Sequence, residues 1–251
     1  IIATIVAEEC TGRNWRSLMQ DYLFKPLNMT HTSGYVHDFD GKKLVPTRYM
    51  VQSNGSLVTG FYKTNNTMHA AGGIISTLQD LSKWLVFNLN EGRTKKGIHL
   101  AQNEFYAMID PVAKQDITYF TYKRYGYGLG WDLTQYNGER LVTRFGGFAG
   151  TNVHISFMPE NGIGIIAFTN EARANRLPHI TANLAYNLLL QKPNTEHMFQ
   201  QEKKMYQTEF KKKNALITGV EDTCTTRLDV EGCYTNNKGW PSITIRRKGK
   251  K

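Results

Sequence analysis

The first residues of the chain, Ile1 to Glu9, are mostly apolar and predict the second half of a buried helix, with Cys10 as a small buried residue behind it. After Thr11-Gly12, Asn14 supplies an N-cap for a helix whose positions Trp15, Leu18, Met19, Tyr22 and Leu23 recur at helical spacing, and Pro26 ends it. Residues 31–68 form a polar, glycine-containing stretch with short extended pieces, too irregular to be a core layer. Ser76 and Gln79 have the spacing of a capping box. The helix they would open places Leu78, Leu81, Trp84, Leu85 and Leu89 on one stripe and stops near Gly92. A shorter helix is expected over 102–109, before Pro111.

From Tyr125 the period changes toward two. Small and bulky residues alternate over Tyr125-Gly126-Tyr127-Gly128-Leu129-Gly130-Trp131, which predicts an extended segment, and 140–145 predicts another short strand. Val153, Ile155 and Phe157 share one face of a strand over 152–158. Pro159-Glu160-Asn161-Gly162 is a turn that feeds the apolar run 163–168, the pattern of a central strand. Ile180, Leu184 and Leu188 then stripe a helix over 176–190. Strands joined by a tight turn are antiparallel, so the expected fold class is α+β, with helices packed on an antiparallel sheet. After Pro193 the composition shifts. Residues 196–213 are charged and helix-prone, and 228–245 begin a small β element, which places a boundary between about 191 and 220 and expects three parts: 1–190, a linker over 191–220, and 221–251.

Composition narrows this picture. With 251 residues, 40% hydrophobic and 12% aromatic, the chain can bury a sizeable core. A mean hydropathy of -0.45 and the absence of any apolar run near the ~18 residues of a membrane-spanning helix exclude such a span. The formal charge is +10, but residues 1–190 hold 18 Lys and Arg against 14 Asp and Glu, while 191–251 hold 13 against 7. The excess therefore lies in the last quarter, at Lys211-Lys212-Lys213 and from Arg246 to Lys251. No aromatic RNA-binding motif, zinc spacing or helix-turn-helix pattern accompanies it, so the expectation is a solvated basic face and no nucleic-acid partner. Three cysteines make no disulfide framework; Cys224 and Cys233 are close enough to pair across a hairpin, a question the spacing leaves open. Sequons at Asn28, Asn54 and Asn65 are compatible with a secreted or extracellular protein. The chain begins with Ile1 and ends in a strand-like run, and both ends read as those of a piece of a longer protein.

Self-contained catalytic motifs are missing. There is no Gly-x-Ser-x-Gly elbow, phosphate loop, dinucleotide loop or His-Glu-x-x-His pair, and the seven histidines fall on separate elements without ligand spacing. Each histidine is expected as a surface or capping residue, and neither metal nor cofactor is implied.

Several segments in order nevertheless resemble one family. They are Thr11-Gly12-x-x-Trp15 through Phe24-Lys25-Pro26-Leu27-Asn28-Met29-Thr30-His31-Thr32, then Ala71-Gly72-Gly73-Ile74-Ile75-Ser76-Thr77-x-x-Asp80-Leu81, Tyr127-Gly128-Leu129-Gly130-Trp131, and the hairpin 157–170 ending Phe168-Thr169-Asn170. Together, over residues 1 to about 190, they resemble the serine β-lactamase-related family of class C β-lactamases, penicillin-binding proteins, esterases and peptidases. The resemblance implies a β-lactamase/transpeptidase-like fold whose N-terminal part is missing from this chain. Residues 228–245 look like the start of the lipocalin-like β domain often appended in that family.

In that family a Ser-x-x-Lys serine attacks the acyl carbon, a Tyr-x-Asn element assists proton transfer, and a Lys-Thr-Gly or His-x-Gly strand supplies charge and an oxyanion donor. None of the eight serines here has Lys three residues on, and the one Tyr-x-Asn, Tyr234-Thr235-Asn236, lies out of order. The family order places both missing elements before Ile1. The resemblance therefore implies a portion of a hydrolase that acts on an ester, amide or β-lactam bond, inactive on its own, with a small-molecule acyl substrate or peptide as partner. The other class is a non-catalytic binding or extracellular structural protein of the same fold.

The third motif is present in altered form as Arg144-Phe145-Gly146-Gly147. The resemblance assigns the Gly147 N–H as an oxyanion donor, Gly146 as a gap through which backbone and substrate approach, and Arg144 as a cation for a substrate carboxylate. Against this stands the reading of Arg144 as an ordinary strand residue in a degenerate site. Tyr125, Tyr127 and Trp131 either line a cleft or pack a sheet face, and Tyr127 is taken with Arg144 as a substrate-binding candidate. Loss of the first sheet strands would also leave an apolar sheet edge or groove uncovered.

Overall fold

The computed structural model describes residues 1–39, 47–51, 55–94, 97–98, 100–213, 230–237 and 241–246, without the side chains of 98 and 211–213. The described residues include six helices: α1 Ile2–Thr11, α2 Trp15–Met19, α3 Leu78–Leu89, α4 Gln102–Ile109, α5 Leu177–Leu189 and α6 Thr195–Lys213. The short strands β1 Tyr49–Val51 and β2 Leu57–Thr59 form one ladder, and β3 Arg93–Thr94 and β4 Gly97–Ile98 form another. The main sheet consists of β5 Ala113–Tyr119, β6 Tyr122–Tyr127, β7 Asp132–Tyr136, β8 Glu139–Phe148, β9 Thr151–Met158 and β10 Ile163–Thr169, antiparallel and in strict sequential order. Near the end, β11 Gly232–Tyr234 pairs with β12 Ile243–Ile245.

Alternation along β8 and β9 divides two cores between the faces of the sheet. On one face Leu133, Val142 and Phe157 pack with Leu85 of α3, Phe105 and Ile109 of α4, and Trp131. On the other, Leu141 and Met158 pack with Tyr122, Tyr136, and Ala182 and Tyr186 of α5. A third cluster, Phe24, Leu27, Met29 and Phe87, ties the N-terminal segment to α3.

The structure corrects several expectations. Helix α1 is present but has no buried residue, and Ile2, Ile5, Val6 and Cys10 are exposed. Asn14 does cap α2, accepting from the Arg16 N–H at 3.0 Å, but the helix passes into a π-helical stretch, Gln20–Phe24. The wider turn rotates Tyr22 outward to 63% exposure and buries Phe24 instead. Thr77, not Ser76, caps α3, accepting from the Asp80 N–H at 3.2 Å, while the Ser76 hydroxyl meets that of Thr32. Within α3, Leu78 is exposed, and Phe87 and Asn88 are buried with Leu85. The sheet begins before Tyr125, at β5, and residues 128–131 turn the chain between β6 and β7.

The two ends of the sheet differ. β5 carries Lys114 and Asp116 and is mostly exposed, whereas β10, Ile-Gly-Ile-Ile-Ala-Phe-Thr, has no strand along its outer edge among the described residues. Helix α6 lies against α5, and its Glu202 is buried between them and Tyr136. Of the basic clusters, Arg246 alone has a described side chain. Cys224 lies outside the described residues, and Cys233 is an exposed free thiol.

Candidate active site

Strand β8 outruns β7. Their pairing ends at Asp132 opposite Thr143, so along Arg144–Phe148 the side of β8 that faces away from β9 is unpaired among the described residues. The loop between β8 and β9 is the two-residue turn Ala149-Gly150, with φ of 44 and 97 degrees, closed by Phe148 opposite Thr151. Residues flanking such a turn bond to each other, and alternation then directs the Gly147 amide away from β9, toward the open side.

Alternation starts the Arg144 and Phe148 side chains on the α3 face of this strand, with Gly146 between them. A Cβ at Gly146 would meet no atom within 4 Å, so the floor between Arg144 and Phe148 is open. At Gly147, which faces the other way, it would lie 3.3 Å from Asn152 Oδ1 and the Thr151 carbonyl. Arg144 is half-exposed: its Nη1 stands 3.6 Å from Oδ2 of buried Asp132, and its guanidinium carbon is 5.8 Å from the Tyr127 ring centroid. Arg124 reaches the same Asp132 oxygen at 3.2 Å. Arg144, Tyr127, Gly146 and Gly147 are therefore brought together at one end of the sheet. Tyr125 and Trp131 belong to the core instead, Trp131 meeting Phe157 edge-on at 5.3 Å.

Behind this strand lies a polar network that the histidine spacing does not reveal. His154 and His179 are buried, which corrects their expected surface placement. Their Nδ1 atoms are 2.9 Å apart, His154 Nε2 is 2.6 Å from Ser156 Oγ, and Ser156 meets the Tyr186 hydroxyl at 2.9 Å. Burial holds His154 well below the usual imidazole range, and burial with nearby Arg176 and Arg124 lowers His179 to about 3. Both rings are thus neutral near pH 7. Ser156 touches a neutral His but is fully buried, so no substrate reaches it. Among the described residues, no group of three or more His, Cys, Asp or Glu is placed to hold a metal ion.

The residues that carried the resemblance in the first half of the chain hold the fold. Buried Asp80 accepts from the His31 N–H at 2.6 Å, the Thr32 hydroxyl at 2.9 Å and Lys83 at 2.8 Å. Lys83 also donates to the Asn28 carbonyl. Of the sequon asparagines, Asn28 is exposed, Asn54 lies outside the described residues, and the Asn65 amide is held between the Val36 N–H and His37.

An antiparallel sheet with helices on both faces and a glycine-lined, cation-bearing edge defines a hydrolase-like fold of the β-lactamase/transpeptidase class. The chain belongs to the beta-lactamase family, whose sequence profile matches residues 1–188. Unguisins hydrolase ungD of Aspergillus violaceofuscus is 24% identical over 190 residues, covering 68% of this chain and 33% of that protein. Among solved structures, the octameric penicillin-binding protein homologue from Pyrococcus abyssi has a TM-score of 0.67 at 22% identity, covering 96% of this chain and 48% of the other. The D-amino acid amidase from Ochrobactrum anthropi SV3 has a TM-score of 0.56 at 18% identity, covering 67% and 48%. The chain thus spans half or less of the length of the relatives it matches.

Proposed function

We propose that this chain is part of a serine hydrolase that opens an ester, amide or β-lactam bond through an acyl-enzyme, with the Ser-x-x-Lys and Tyr-x-Asn elements carried by sequence outside these 251 residues. The observation that carries this reading is the open stretch Arg144–Phe148, with a free glycine floor and an amide turned to the unpaired side. In this scheme the Gly147 N–H donates to the oxygen that gains charge as the nucleophile adds, and Gly146 lets the acyl group lie against backbone. Arg144, steadied by Asp132 and Tyr127, presents its exposed edge to a polar group of the substrate. The hydrolase and amidase relatives support bond cleavage as the activity. Residues 1–190 are read as the portion of the hydrolase domain, 191–220 as the connecting segment and 221–251 as the start of a lipocalin-like element. The sequons support an extracellular setting.

The test is to express the complete open reading frame that contains this chain and treat it with a fluorophosphonate probe. Covalent labelling at a Ser-x-x-Lys serine is expected, and Gly146→Val should fold with an unchanged Tm while labelling at least about tenfold more slowly, because the added side chain fills the floor. A complete frame with no such serine, or one that never labels, overturns the enzyme reading. One observation favours the second reading, a non-catalytic binding or structural protein: position 144 carries an arginine where the family's motif has Lys or His.

A further inference from the structure

At the Phe148 end of the open stretch two cations share aromatic rings. The Arg48 guanidinium lies 4.2 Å from the Tyr62 ring centroid and 5.7 Å from that of Phe148, and the Lys63 ammonium lies 4.3 Å from the same Phe148 ring. Phe61 meets Phe148 edge-on at 5.1 Å, and Phe61 and Tyr62 are both exposed. The backbone fixes this arrangement. The Gly60 N–H donates to the Arg48 carbonyl at 2.7 Å, and Gly60 lies so close to the β8–β9 turn that a Cβ would stand 2.1 Å from the Ala149 carbonyl oxygen.

Neither cation has a carboxylate partner among the described residues. Lys63 donates to the Gly72 carbonyl at 2.6 Å, and Arg48 Nε is buried with no acceptor among the described residues. Burial disfavours the charged form of both, and the Arg48 charge depresses Lys63 further. Charges partly desolvated over a shared aromatic ring, with repulsion between them, are poised to gain from an added anion. An Arg-carboxylate bond beside exposed rings suits an anion attached to an apolar group.

We infer that Arg48 and Lys63 form a subsite for the carboxylate of the substrate, with the substrate's adjoining aromatic or apolar group packed on Phe61 and Phe148. The inference rests on the hydrolase reading above and narrows its substrate class, since Phe148 directly follows Gly146 and Gly147.

The probe is hippurate, which joins a benzoyl ring to a carboxylate, compared with its neutral amide and with sulfate in an NMR titration of the 251-residue chain. Hippurate is expected to bind at least about tenfold more tightly than either comparator, moving the amides of residues 61–63 and 147–148. Arg48→Gln and Lys63→Gln should each weaken hippurate by about tenfold and leave the amide analogue unchanged, with Tm measured for both so that a misfolded variant is set aside in favour of the other. Equal binding of hippurate and its amide, equal binding of sulfate, or shifts elsewhere on the surface would overturn the subsite. This assay needs no nucleophile. Charge-independent binding in a chain whose full-length form labels sinks the subsite alone, and carboxylate binding in a frame that never labels sinks the hydrolase reading alone.

Discussion

Gly164 sits where α3 crosses β10 with no space for a side chain: a Cβ there would lie 2.6 Å from Leu85 Cγ. Leu85 is buried among Phe105, Trp131 and Phe157 and has nowhere to move. Gly164→Ala is therefore expected to cost roughly 1–3 kcal/mol, read as a Tm lowered by several degrees; an unchanged Tm would mean that α3 can slide off the sheet. At this scale the sequence was legible where a residue's role is local. Asn14 caps the helix beginning at Trp15 because an asparagine oxygen reaches the N–H two residues on. Partners far apart in the chain were not legible: Asp80 is held by His31 and Thr32, and His154 of β9 meets His179 of α5. Arg144 lies between these cases. Its position in an altered glycine motif could be read, but Asp132, which anchors it, occupies another strand with no sequence signal.

Among the elements, α1 departs most from its pattern. Its apolar residues would suit a buried helix, yet Ile2, Ile5 and Val6 face solvent, and its hold on the fold comes from Glu8, whose Oε1 accepts the Trp15 N–H at 2.7 Å. Ile5→Lys should accordingly change the stability of this chain by no more than about 0.5 kcal/mol in a urea titration. A loss of several kcal/mol would place Ile5 in a core. Apolar periodicity reports that a face is to be covered but not by what, which is why α1 could be recognised as a helix and not placed. The π-helical stretch after α2 hides for a different reason: one widened turn leaves composition unchanged and only rotates the residues beyond it. Strand β5 carries little sequence signal because its exposed edge is built largely of polar residues. The strands β9 and β10 were easier, since alternation and a Gly162 at positive φ agree.

Across the whole molecule, two buried titrating groups oppose each other. Burial raises Glu202 to about 7, although Asn183 and Tyr136 donate to it. A carboxyl raised in the fold contributes stability that is present below about pH 4.5 and lost as pH rises through about 7. The two histidines, depressed in the fold, contribute stability present above about pH 6.5 and lost as pH falls through their lowered range, which for His179 is about 3. Glu202→Gln, whose amide oxygen still accepts both bonds, should gain on the order of 1–3 kcal/mol at pH 8 and nothing at pH 4, measured by chemical denaturation. A loss at pH 8 would mean that the carboxylate is stabilised where it lies. The order of the main sheet also governs how the chain acquires its shape. Because every strand from β5 to β10 lies beside its neighbour in sequence, each pairing closes a short loop, and the sheet can grow hairpin by hairpin without waiting for distant segments. The open end of β8 thus belongs to a run of local pairings and needs no contact from far along the chain to take its shape.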